Sequence, residues 1–138
     1  MKKLICILSF ISIMPFIQSC SDNANKLTFS NGELYYTEKV QKADAQKLGR
    51  YLLKEGFFNE EKRTVQLDKN GKLWVFNLVV KKGAEDDDQF IYLFGFFSSQ
   101  LSRAVFNDDP VDIHLCNNKL KTLRVIPFKN PKSANQAH

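Results

Sequence analysis

The strongest constraint on the fold is an order of periodicities met twice along the chain: a helical apolar stripe, then two strand-length runs. From about Val40 to Glu55, apolar Val40, Ala45, Leu48 and Leu52 share one helical face. Gly56 follows Lys54-Glu55 as a glycine just past the helix end, and Phe57 can close that cap with an apolar contact. Runs 63–68 (RTVQLD) and 72–80 (KLWVFNLVV) read as strands. Asn70-Gly71 between them is a strong hairpin signal, because a tight turn there needs positive φ at both positions. The order then recurs. A helix opened by Glu85-Asp86-Asp87-Asp88 carries Phe90, Phe94, Phe97, Leu101 and Val105 on one stripe, and Asn107-Asp108-Asp109-Pro110 stops it. Runs 111–116 (VDIHLC) and 119–126 (KLKTLRVI) flank a turn at Asn117-Asn118. A first strand at 33–37 (ELYYT) precedes both units.

The two units also share residues. LLKEGFFNEEKRTVQLDKNGKL and LSRAVFNDDPVDIHLCNNKL have in common a leucine, a Phe-Asn at the helix end, an apolar-x-Leu strand and a Lys-Leu opening the return strand. An internal duplication accounts for this. The expected fold is α+β: a two-layer sandwich with a mostly antiparallel sheet and two helices on one face, in the pseudo-duplicated order β-αββ-αββ. Strand alternation sends Val65, Leu67, Trp74, Phe76, Leu78, Val80, Ile113, Leu115, Leu123 and Val125 towards the helices. The opposite face receives Thr64, Gln66, Asp68, Asp112, His114, Cys116, Thr122 and Arg124, with Val75, Asn77 and Val79 between them.

On that face Gln66, Asp68, Asn77, Asp112, His114 and Arg124 form the candidate binding set. His114 is the sharpest of them, since Asp112 lies two residues away on the same face and Cys116 two residues further on. A general base needs its nucleophile within hydrogen-bond reach. Alternate residues of one strand stand roughly 6.5 Å apart, too far for direct proton transfer. No catalytic residue is therefore assigned, and Cys116 reads as a small apolar filler. The expectation is a non-enzymatic module; the alternative is an enzyme or ligand carrier using the face around His114. The acidic run 85–88 lacks the glycine and distal glutamate of a calcium loop and is explained by the helix dipole. With two histidines and no paired cysteines, neither a metal nor another cofactor is expected.

Charge excludes another class. Twenty basic residues stand against fifteen acidic ones, for a net +5, scattered and without an arginine-rich stretch, so no nucleic acid is expected as a partner. The 12 phenylalanines cluster in the second helix and at Phe57-Phe58. There Ile91, Tyr92, Leu93 and Phe96 lie off the main stripe, which points to a protein partner or dimer contact through Tyr92 and Phe96.

The N-terminus carries an address. Lys2-Lys3 precedes an apolar run from Leu4 to Ile17, interrupted by Ser9, Ser12 and Pro15 and shorter than the roughly 20 residues a spanning helix needs. Ile17-Gln18-Ser19-Cys20 then resembles the lipobox of bacterial lipoproteins, with Gln18 standing where a small residue is usual. The resemblance implies a signal peptide over 1–19, cleavage before Cys20, and acyl chains such as palmitate on that cysteine. Each buried methylene contributes about 0.8 kcal/mol, so several chains anchor stably to a membrane. The expected location is the bacterial cell envelope, in the outer membrane where the host has one, because Ser21 replaces the aspartate that signals inner-membrane retention. Residues 20–30 then read as lipidated cysteine and polar tether, 31–128 as one globular α+β domain, and 129–138 as a polar tail. Cys6 leaves with the signal and Cys20 is acylated, so Cys116 has no disulfide partner.

The domain itself also resembles a known kind of sequence. YYT at 35–37, GFF at 56–58, TVQLDK at 64–69, and IHLC followed by LKTLRVI resemble, in that order, a small bacterial α+β domain family of unassigned function. The likeness covers roughly residues 34–126 and brings no catalytic residue, cofactor or substrate. It implies a single domain that works as a module.

Overall fold

Buried and exposed residues alternate along the central strands, and the buried ones stand in register across the sheet: Leu34 beside Val65, Leu67 beside Phe76, Phe76 beside Ile113. The structure, a computed structural model, describes residues 25–132. Its strands are β1 (Asn25–Phe29), β2 (Gly32–Tyr36), β3 (Arg63–Asn70), β4 (Leu73–Val79), β5 (Val111–Cys116) and β6 (Thr122–Ile126). The helices are α1 (Lys42–Lys54) and α2 (Asp88–Ala104). One sheet holds all six strands in chain order. Three antiparallel hairpins, β1–β2, β3–β4 and β5–β6, are joined by two parallel pairings, β2–β3 and β4–β5. Both helices cover the same face, giving the expected two-layer α+β architecture.

Each helix buries the stripe its sequence dictates. α1 buries Ala45, Leu48, Gly49 and Leu52 and lies over β1 and β2. α2 buries Phe94, Ser98, Leu101 and Ser102 and lies over β5 and β6, where Ser98 Oγ donates to the Val111 carbonyl at 2.5 Å. The two helices thus leave β3 and β4 between them. Aromatic rings fill that space: Phe57 stacks on Phe97 at 5.6 Å, and both meet Phe76 edge-on, at 6.2 and 5.8 Å. Phe57 is placed there by the end of α1. The Gly56 N–H donates to Leu53 and the Phe57 N–H to Leu52, with Gly56 at φ 80°, a Schellman cap that turns the chain sharply. β2 and β4 run in opposite directions while their crossover helices share a face, so the two crossovers are of opposite hand. One of them departs from the right-handed rule for such joins.

The structure corrects several expectations. Residues 25–29, assigned above to the tether, form strand β1, so the order among the described residues is ββ-αββ-αββ. The cause is tertiary: Leu27 and Phe29 pack onto the core, with the Phe29 ring filling the hollow that Gly49 leaves on α1. The β3–β4 turn is Gly71-Lys72 rather than Asn70-Gly71. Asn70 stays paired with Leu73, and Gly71 takes the positive φ, 61°. A 3-10 turn (Ala84–Asp86) precedes α2, so the helix starts at Asp88 with Asp87 as its cap.

The last strand departs most. Loop 117–121 is held by Asn117 Oδ1, which accepts from the Lys119 and Lys121 amides, and β6 begins only at Thr122. A register shift at Leu115/Cys116 changes the parity of the strand, since one extra residue turns every later side chain over. Ile126 is buried, while Leu123 and Val125 are 43% and 46% exposed instead of facing the helices.

Cys20, Cys6 and the signal segment lie outside the described residues, as do 133–138 of the polar tail. Residues 128–132 run back beside α2, where Phe128, Pro131 and Lys132 border a shallow recess of about 150 Å³ with Ser99, Ser102 and Arg103. Among the described residues no helix is long and apolar enough to cross a membrane.

Candidate binding face

The uncovered sheet face is built from rows of residues that the strand register sets side by side. Its central row runs Tyr35, Gln66, Asn77, His114 and Val125. A second row holds Asp68, Val75 and Asp112. Gln66, Asp68, Asn77, Asp112 and His114 therefore do share one face. Arg124 does not: it stands opposite Leu115, on the helix side of β6, and its Nη1 donates to the Glu85 carbonyl at 3.4 Å. The register shift in β6 is the reason.

Most of these groups hold one another or the main chain. The Asn77 amide donates to Gln66 Oε1 at 3.2 Å, and Asn77 itself is buried. Asp68 Oδ1 accepts from the Thr37 hydroxyl at 2.7 Å and from the Lys69 amide at 2.8 Å, pinning the end of β2 to β3. Asp112 Oδ1 accepts from the Phe128 amide at 2.9 Å and ties the chain beyond β6 to β5. Neither Thr37 nor Phe128 could be paired with its carboxylate from sequence spacing, because both bonds depend on strand register.

His114 Nδ1 lies 3.2 Å from the Thr122 hydroxyl. Burial lowers its pKa, against the pull of Asp112 and Asp68, which favour the charged ring. The Cys116 thiol points to Asn77 Oδ1, at 3.7 Å, and to the main-chain carbonyl of His114, at 3.5 Å. Burial raises its pKa, which keeps it a thiol rather than a thiolate nucleophile. Among the described residues no group of three His, Cys, Asp or Glu side chains is arranged to hold a metal ion.

A different surface is apolar. Tyr92, Leu93 and Phe96 on α2 are 71%, 63% and 56% exposed, and the Tyr92 and Phe96 rings meet edge-on at 4.8 Å. Leu123 and Val125 of β6 are also exposed, but Val125 stands beside His114 on the uncovered face, opposite the helix layer that carries the ridge. At the other edge, Leu27, Thr28, Phe29, Gln46 and Arg50 line a shallow groove of about 360 Å³ between β1 and α1.

These features define a class: a two-layer α+β module with one sheet face covered and the other open. A family model describing the N-terminal domain of an uncharacterised family matches residues 26–126, most of the chain, and the chain belongs to that family. Neither curated proteins nor solved structures give a match.

Proposed function

We propose that the chain is a lipid-anchored, non-enzymatic protein-binding module of the bacterial cell envelope. The observation that carries the binding role is the ridge of Tyr92, Leu93 and Phe96, three large apolar side chains left in water on a helix whose other face is well packed. Grouped apolar exposure of this kind marks interaction surfaces. A non-catalytic role is supported by the open face, where Gln66, Asp68, Asn77 and Asp112 are engaged in bonds that fix the fold.

Anchoring rests on the N-terminal sequence, from Lys2-Lys3 to Cys20. Asn25 starts β1 at the end of the sheet where β2 finishes, whereas α2 starts at the opposite end and lies over the other edge. Those edges are five strand spacings apart, about 24 Å. Five tether residues reach at most about 17 Å. A domain held at Cys20 can therefore stand with its ridge turned away from the bilayer.

Two measurements test this reading in the native host. Replacing Cys20→Ala should move the protein out of the membrane fraction and abolish acylation of the N-terminus; retention in the membrane would sink the anchor. Replacing Tyr92→Ser and Phe96→Ser together should remove a crosslinked envelope protein seen with the unaltered chain. An unchanged crosslinking pattern would sink the ridge.

A further inference from the structure

We infer that the outer edge of β6 takes up an extended, acidic segment of the partner protein as an added strand. This deepens the proposed protein-binding role and rests on it. Among the described residues β6 is paired on one side only, by β5, so its outward amides and carbonyls lack strand partners there. Leu123 and Val125 are exposed there, a pattern that an incoming strand can cover with alternate apolar residues.

Charge selects the occupant. Every charged side chain from 113 to 132 is basic: Lys119, Lys121, Arg124, Lys129 and Lys132. A second copy pairing β6 against β6 would set these like charges across a two-fold axis, which is unfavourable. An extended segment alternating carboxylates with apolar residues meets the opposite situation: its carboxylates fall beside Lys121 and Arg124. The other sheet edge offers no such surface. In β1, Lys26 is already paired with Glu33 at 3.0 Å, and Leu27 and Phe29 are turned onto the core. An anionic lipid surface could meet the same basic groups but would leave the edge amides unpaired by a strand.

The test uses the full chain in mild detergent and a short synthetic peptide alternating valine or threonine with glutamate. Hydrogen exchange at the β6 amides should slow roughly tenfold or more at saturating peptide, as expected for strand addition. A peptide with lysine for glutamate should not bind, nor should an acidic peptide N-methylated at alternate residues, which lacks the donors while the protein is unchanged. The doubly reversed variant Lys121→Glu with Arg124→Glu should lose the acidic peptide and gain the basic one. Equal binding of the N-methylated peptide, or protection confined to β1, would overturn the inference. So would slowing of β6 exchange by phosphatidylglycerol vesicles but not by peptide, or a β6-mediated dimer in sedimentation. If the peptide fails while the Tyr92/Phe96 variant still loses its crosslinked protein, this inference fails and the proposed function stands.

Discussion

His114 shows how a single side chain can be placed by its strand and yet be tuned by its neighbours. It sits between Asn77 and Val125 on the open face, and burial lowers its pKa even though Asp112 and Asp68 favour the charged ring. The folded state therefore binds the proton less readily than the unfolded chain. Stability should be full above the ordinary histidine value near 6.5, fall as pH drops through that value, and level off below the depressed folded value. Thermal melts between neutral pH and pH about 5 should show this slope, and His114→Gln should flatten it. Glu33 acts in the same direction at lower pH: the hydrogen bond from Lys26 lowers its pKa, so its contribution is present above the ordinary carboxylate value and is lost as pH falls from that value through the lowered folded one. Gly32 makes a second prediction at this scale. A Cβ there would run into the Phe58 ring, which is buried against it. Gly32→Ala should cost about 1–3 kcal/mol in denaturant unfolding through overpacking. Five of the six candidate face residues were legible from alternation alone. Arg124 was not, because one extra residue in β6 reverses the parity that alternation relies on.

At the scale of elements, local chemistry explains the helices better than the edges. Asp87 Oδ1 accepts from the amides of Gln89 and Phe90, so this residue of the acidic run caps α2. Asp87→Ala should lower stability by about 1 kcal/mol, read as a shift of the denaturant midpoint at unchanged slope. The end of α1 was legible as well, since a glycine in the left-handed region followed by an apolar residue is a strong stop signal. β1 was not legible. Five residues with two apolar side chains gain little alone, and the strand exists because Phe29 meets Gly49 and Lys26 meets Glu33. The opposite hands of the two crossovers were equally invisible, because periodicity reports which face of an element is buried and says nothing of the path between elements.

For the whole molecule, the aromatic group between the helices is what makes one core out of two helix–hairpin halves. Phe76 is buried and touches both Phe57 at the end of α1 and Phe97 on α2. Phe76→Ala should cost about 3–5 kcal/mol, and both helices should lose protection together in hydrogen exchange. Loss of only one half would refute the shared core. The order of the strands has its own consequence. Spatial order equals chain order across the sheet, so no strand waits for a later one to be inserted between itself and its predecessor. A chain that emerges N-terminus first can therefore complete each pairing as soon as the next segment is free, with low contact order and no unfilled slot left inside the sheet. Growth is by accretion at one border, and the last border laid down is β6.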